Sequence, residues 1–340
     1  VLSNRNKGRF TQLLVFSGLK PKVNKHVNSP FKKGIVIFSA DFEMAWAFRY
    51  SKKQAANAVQ KGLEERNHVP ALLKLFDTYK IPITWATVGH LFLKECSKNE
   101  HGKAHPDMIR PAHFENRNWC FDSGDWYDHD PCTNYLTNPA WYAGDLVEQI
   151  LQSETAHEIG CHSFSHIDLT DKNCPPELAV SELNACILLA FENNIQLKSM
   201  VFPGGTIGNH KTLKEKGVIC YRKPMKHHID LPYIDDFGLV AIPSSLGLEK
   251  DPYGWTKEFH LSMIRRYLSK AIKFRQICHF WFHPSMNQWY LQHVMPEIIK
   301  MTSDLRNSDK LEVLTMQQLA ERFLSIANLS LIHISEPTRP

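Results

Sequence analysis

The chain has 340 residues, enough to bury a large core as one α/β domain or two smaller ones. Apolar content of 43% and charged content of 22% are those of a soluble globular protein, and no apolar run is long enough to span a membrane. The net charge of +5 sits in a basic arm: residues 1–33 hold eight Lys or Arg and no Asp or Glu, which leaves −3 for the rest and gives nucleic-acid binding no support.

Residues 1–33 are therefore expected to be a solvated or poorly ordered leader, with contact to an anionic lipid or polymer as the alternative. No cleavable signal is evident, which favours a cytoplasmic location. The eight cysteines, at 96, 120, 132, 161, 174, 186, 220 and 278, include no CxxC pair and read as reduced thiols rather than a disulfide framework. The chain begins with Val, and residues 329–340 resemble the translation of a sequencing adapter. That tail, with His333, is set aside from the fold.

Gly34 to Ala40 is a branched apolar run, the pattern of a strand buried on both faces. It ends in Asp41-Phe42-Glu43. If the extended path continues, residues i and i+2 face one side, so both carboxylates enter one site. One can then bind metal while the other stays free as a base. Trp46, Phe48 and Tyr50 follow, interleaved with Arg49, and form either a wall for a sugar ring or packing over a barrel mouth. From about 56 to 80 the pattern is helical, with Val69, Leu72, Leu73, Leu75 and Phe76 as its apolar stripe and Pro70 near its start. Residues 81–88 read as the next strand, and strand, helix, strand at this spacing predicts a parallel βαβ unit.

Residues 96–140 break the rhythm with His, Asn, Asp, Pro and aromatics, and are expected to be a substrate-facing insertion. Its histidines at 101, 105, 113 and 129 have no metal-ligand spacing and read as surface residues. A helix from about 141 to 155 leads to a strand at 157–161 and then to His162-Ser163-Phe164-Ser165-His166. On a helical turn, positions i and i+4 share a face, so both imidazoles can reach one ion. Ser163 and Ser165 can hold the turn by bonding nearby backbone. A catalytic metal usually takes three protein ligands, and the upstream carboxylates are the best source of the third.

Pro175-Pro176-Glu177 opens a helix that runs to about Glu192, with Leu178, Leu183, Ile187 and Leu188 on its buried side. A strand at 197–202 ends in Pro203-Gly204-Gly205, where free N–H groups can meet an oxyanion. Short strands at 217–221 and 238–242 and a helix at 255–274 follow. Residues 276–284 form a late strand carrying His279 and His283. These two face the same side about 13 Å apart, so both cannot sit at one reacting atom. A helix at 288–302, a strand at 311–314 and a helix at 315–327 complete the chain. The repeated units imply a parallel α/β fold, either a closed barrel or an open doubly wound sheet. The carboxylates, the two-histidine turn, the glycine turn and His283 all follow strands, where parallel barrels collect their chemistry.

Over residues 34–327 the chain resembles the polysaccharide deacetylase family, the NodB-like carbohydrate esterases. His162-Ser163-Phe164-Ser165-His166 looks like that family's H-[ST]-x-x-H metal motif, and Asp41-Phe42-Glu43 like a D-x-E variant of its acidic pair. Pro203 to Gly205 falls where the R-x-P-x-G motif ends, and Phe282-His283-Pro284 resembles the late strand with the catalytic histidine. The resemblance implies a distorted (β/α)7 TIM-like barrel and metal-dependent removal of an acetyl group from an N-acetylated sugar. It implies Asp41 and His283 as catalytic base and acid, with the reverse use of Asp41 and Glu43 open. It implies Glu43, His162 and His166 as ligands to Zn²⁺, with Co²⁺ or another divalent ion as alternatives. Pro203, Gly204, Gly205, Trp46 and Trp126 are the expected substrate and oxyanion contacts. The motif's arginine corresponds to Val201 here, and Arg49 or Arg222 is the candidate replacement. A hydrolase of another amide and a non-catalytic glycan-binding protein are the competing expectations.

Overall fold

The computed structural model describes residues 21–249 and 254–335, with side chains described to residue 328. Most of the basic arm and the last residues of the adapter-like tail lie outside the described residues. Eight strands form the body: β1 (Gly34–Phe42), β2 (Thr84–Thr87), β3 (Glu158–Cys161), β4 (Ser199–Val201), β5 (Cys220–Lys223), β6 (Val240–Pro243), β7 (Ile277–Phe282) and β8 (Leu311–Val313). They are parallel neighbours in the order β6-β5-β4-β3-β2-β1-β7, with β8 beside the first half of β1.

One segment closes the sheet. After β6, the Ser244 N–H donates to the Lys223 carbonyl on β5 at 2.9 Å, and the Ser245 N–H donates to the His279 carbonyl on β7 at 2.7 Å. Leu246 and Gly247 then pair with Phe280 and Trp281. Of the two sheet forms open to the sequence, the fold is the closed one: a distorted (β/α)7 barrel with β8 added outside the ring.

Alternation along the strands gives each barrel wall two faces. Ile35, Ile37, Ala86, Val201, Cys220, Val240, Ile242 and Ile277 fill the interior. Met316, Leu319 and Ala320 of the last helix, α8 (Met316–Ser335), plug its N-terminal end. The Glu158 carboxylate accepts bonds there from Thr84 Oγ1 at 2.7 Å and from the Gln317 N–H in the first turn of α8 at 3.0 Å. The same inward register carries Ser39 and Asp41 of β1, Arg222 of β5 and His279 of β7 towards the strands' C-terminal ends. On β1, β5 and β7 the inward face thus changes from apolar to polar towards the C-terminal end, and that change sets the site.

The outer faces pack on helices α1 (Ala58–Tyr79), α2 (Gly144–Leu151), α3 (Pro176–Glu192), α4 (His210–Glu215), α5 (Lys257–Phe274), α6 (Gln288–His293) and α7 (Met295–Asn307). Pro70 lies inside α1 rather than near its start. Its exposed position lets water satisfy the carbonyl that its missing N–H leaves free. Leu188 is exposed, because the buried stripe of α3 runs through Leu178, Glu182, Leu183, Cys186 and Ala190 instead. The expected helix at 288–302 is two helices, α6 and α7. Among the described residues no helix is long and apolar enough to cross a membrane.

Two histidines make stability pH-dependent. Burial pulls the pKa of His260 on α5 down to about 4, and burial also brings His157 to about 4 against the opposing charge of Asp77. An unfolded histidine titrates near 6.5, so between about pH 6.5 and 4 the unfolded chain binds protons that the folded chain refuses. Unfolding free energy should therefore fall with pH across that window, by roughly 2–3 kcal/mol per group. Denaturant titrations of a His260→Leu variant should show a flatter fall; an unchanged slope would mean that His260 is not held neutral.

Candidate metal and catalytic centre

Asp41 and Glu43, both nearly fully buried, stand where β1 leaves the sheet. The chain turns sharply at Met44, whose φ is +50°. Glu65 on α1 fixes this turn: its Oε2 accepts the N–H groups of Glu43 at 3.1 Å and Met44 at 2.6 Å. Burial, reinforced by the charge of Glu43, pushes the Glu65 pKa well above its ordinary value.

Glu43 Oε1 lies 2.9 Å from His162 Nε2 and 3.2 Å from His166 Nε2. The two histidines do not share a helical turn. The loop after β3 has positive φ at Ser163 (+57°) and His166 (+58°), and this bend folds the second ring back onto the first. His162 Nδ1 donates to the Val201 carbonyl at 2.6 Å, which leaves Nε2 facing Glu43. Ser163 Oγ accepts the Ile167 N–H at 3.2 Å and holds the bend. Ser165 is held from α3 rather than locally: its N–H and hydroxyl donate to Glu182 at 2.9 and 2.6 Å. Burial opposes ionisation of Glu43, yet the charges of His283 and His166 and the hydrogen bonds of His162 and His166 bring its pKa well below the ordinary value. Burial lowers the pKa of His166, so its ring favours the neutral form that a metal needs.

Arg222 stands where the family motif's arginine is missing. β4 and β5 pair in register with Val201 beside Arg222, so the guanidinium comes from the next strand at the same level of the barrel. Its Nη1 and Nη2 grip Asp41 Oδ1 and Oδ2 at 2.5 and 2.6 Å, a bidentate fork. Nη1 also bonds Ser39 Oγ at 3.0 Å, and Ser39 Oγ lies 2.9 Å from His279 Nε2. Arg49, the other candidate, is used elsewhere. It packs against Trp46 and Trp126 at 4.7 and 4.3 Å from the ring centres, and bonds the carbonyls of Trp46 and Ser165. His283, with its side chain 34% exposed, places Nε2 3.7 Å from Glu43 Oε2 and 4.0 Å from Asp41 Oδ2.

A cleft of about 980 Å³ opens above these groups, lined in part by Trp119, Trp281, Gly204 and His283. Trp46 and Trp126 are not its walls. Both are about 1% exposed, with indole N–H groups donating to the Trp141 carbonyl and to Ser165 Oγ. Trp126 is buried within the 96–140 segment and Trp46 in the core, and Trp119 of that segment lines the cleft instead, 5.2 Å from the His166 ring. Pro203 is buried, and the Gly205 N–H is spent on the Phe202 carbonyl at 2.9 Å, so of the expected turn contacts Gly204 is the one left to meet an oxyanion. Gly204 has φ +58°, and a Cβ there would lie 2.7 Å from the Trp119 ring, so only glycine fits beneath that wall.

The ligand atoms of Glu43, His162 and His166 lie within 4.8 Å of one another. One carboxylate and two imidazoles converging at that range fit a divalent ion, and leave positions open for small ligands.

No family model and no curated protein sequence matches the chain. Solved structures do. A Mycobacterium smegmatis protein assigned as a polysaccharide deacetylase superposes with a TM-score of 0.60 at 17% identity, over 94% of this chain and 99% of that one. This is the NodB-like fold of the polysaccharide deacetylases. Weaker likenesses include the carbohydrate esterase domain of a multidomain xylanase from the hindgut metagenome of Trinervitermes trinervoides (TM-score 0.42, 12% identity, 86% of this chain and 91% of that one). A Bacillus anthracis protein described as a pseudoenzyme of carbohydrate esterase family 4 has a TM-score of 0.43 at 10% identity, over 88% of this chain and 69% of that one. In this fold the observed centre sits at the C-terminal ends of the strands, built from β1, the loop after β3, β5 and the end of β7.

Proposed function

We propose that the chain is a metal-dependent hydrolase that removes the acetyl group from an N-acetylated sugar of a polysaccharide or glycan intermediate. The observation that carries this reading is Glu43 shared between His162 and His166, with the Arg222-held Asp41 and His283, 4.0 Å apart, lining the same cleft. Glu43, His162 and His166 hold the divalent ion, Zn²⁺ by its liking for imidazole and carboxylate. Such an ion supplies Lewis acidity, polarising a carbonyl and lowering the pKa of water.

The chain's own groups do the rest. Asp41 takes the proton of the attacking water at Oδ2, the oxygen nearer His283. Arg222 holds that carboxylate in one orientation and frees neither oxygen to swing towards the ion. The Gly204 amide meets the oxyanion as the carbonyl carbon becomes tetrahedral. His283, open to the cleft, protonates the departing amine as the C–N bond breaks, and acetate leaves. Trp119 and Trp281 line the cleft in which the sugar lies, aromatic surface that suits a sugar ring.

Acetate release from N-acetylhexosamine oligosaccharides, O-acetylated sugars and non-sugar acetamides tests the substrate class. Release from the first alone supports the proposal; release from the acetamides alone makes the chain a different amidase. The missing arginine motivates the glycan-binding alternative, and the fork of Arg222 on Asp41 weighs against it.

Arg222→Ala should cut turnover at least about 100-fold, because Asp41 loses its fixed orientation. It should also cost about 3–5 kcal/mol of stability by leaving a buried carboxylate unpaired. Arg222→Lys should recover stability more than turnover, since a single ammonium cannot make the fork. Steady-state rates and denaturation midpoints read both, and near-native turnover in Arg222→Ala would remove Arg222 from the account.

A further inference from the structure

A second group of ligand-class side chains converges behind Trp46, whose ring centre lies 4.2 Å from that of His90. His90 sits in the short turn Gly89–Phe92 after β2, and Cys96, His105 and Asp130 come from the insertion, Cys96 at its start. Asp130 Oδ2 lies 2.9 Å from His90 Nε2 and 2.7 Å from His105 Nε2. The two Nε2 atoms are 3.2 Å apart, and Cys96 Sγ is 3.4 Å from the same Oδ2. Four ligand atoms thus gather within 4.8 Å. We propose that His90, Cys96, His105 and Asp130 form a second, structural site for a divalent metal, Zn²⁺ by its chemistry, which fastens the insertion to the barrel.

Three features point to an ion rather than to a hydrogen-bonded cluster. The first is spacing. Tetrahedral zinc with bonds of about 2.0–2.3 Å keeps its ligand atoms about 3.3–3.6 Å apart. The nitrogen–nitrogen and sulfur–oxygen separations fall within about 0.1 Å of that range, and the two nitrogen–oxygen separations need to open by only about half an ångström.

The second is charge. His90 is fully buried and Asp130 is 3% exposed, and among the described residues the ion-pair partners of Asp130 are the two imidazoles alone. Buried charges are paired or coordinate a metal, and an imidazole pairs with one only when it is protonated. A zinc ion with one thiolate, one carboxylate and two neutral imidazoles is electroneutral. On binding, the Cys96 S–H bond breaks as the metal–sulfur bond forms, the proton leaves to solvent, and nothing is oxidised.

The third is direction. Two ring nitrogens 3.2 Å apart, both aimed at one oxygen, crowd two N–H donors onto one acceptor. An ion in their midst removes that crowding. Around the cluster, Asp130 Oδ1 accepts the Tyr142 hydroxyl at 2.8 Å and the Cys132 N–H at 2.9 Å, so the carboxylate is oriented with Oδ2 towards the ligands. The set is closed, with four protein ligands, one of them a thiolate, and a closed set is structural rather than catalytic chemistry. It ties the turn after β2 to the insertion that carries Asn118 and Trp119 to the cleft.

The test is metal content and a cobalt spectrum on the full chain. Wild type should hold two divalent ions, and a His162→Ala/His166→Ala variant should keep one. Loaded with Co²⁺, both proteins should show a near-ultraviolet thiolate-to-cobalt charge-transfer band, because the second site alone has a sulfur ligand. Cys96→Ser should lose that band while His162 and His166 still bind metal. A Co²⁺-loaded wild type without the band would overturn the proposal, and that reading needs no variant to fold. So would a band that persists in folded Cys96→Ser. Each outcome is independent of whether the cleft hydrolyses anything.

Discussion

A His162→Ala/His166→Ala variant is expected to lose the ion of the cleft and, with it, all measurable acetate release. The two rings supply two of the three ligand atoms, and Glu43 alone is one carboxylate oxygen with no preference for a transition metal. Their removal also withdraws two hydrogen-bond partners from a buried Glu43, which should cost about 1–3 kcal/mol. Metal analysis, circular dichroism and an acetate assay on one preparation check all three. A variant that stays folded and keeps its full metal content would remove the cleft as a metal site.

Asp41→Asn is expected to slow acetate release by about 10²–10⁴-fold, the usual worth of a general base, with the metal content unchanged. The amide keeps the size of the carboxylate but cannot take a proton. It also presents an NH₂ where Arg222 expects an acceptor, so one arm of the fork is lost. The comparison with Glu43→Gln assigns the two carboxylates. If Glu43 is the ligand, Glu43→Gln loses metal and Asp41→Asn does not. Metal loss in Asp41→Asn would reverse the roles.

Sequence carried the parts of this architecture that are local. Gly34 to Ala40 is apolar and branched over its whole length because β1 is buried on both faces at the barrel centre. Asp41-Phe42-Glu43 and His162 to His166 are legible because their groups come from short segments. Their geometry was not: the histidines meet through two positive-φ residues, and no i, i+4 rule contains that bend. Arg222 was one of two candidates until strand register set it beside Val201, 21 residues earlier in the chain. Trp46 and Trp126 looked like sugar walls because they are aromatic and near the motifs. Whether an indole faces solvent or packs under a loop depends on the course of the insertion, and there Trp119 reached the cleft instead. His105 had no ligand spacing with the other histidines of its segment, because its neighbours in space are His90, Cys96 and Asp130.

The most direct measurement is acetate released from an N-acetylhexosamine oligosaccharide by metal-loaded wild type and by Asp41→Asn, side by side. Steady release by wild type and almost none by the variant are expected at equal metal content. A wild type that binds both metal and oligosaccharide yet releases no acetate would contradict the proposed activity, and would make the chain a carbohydrate-binding protein built on a deacetylase fold.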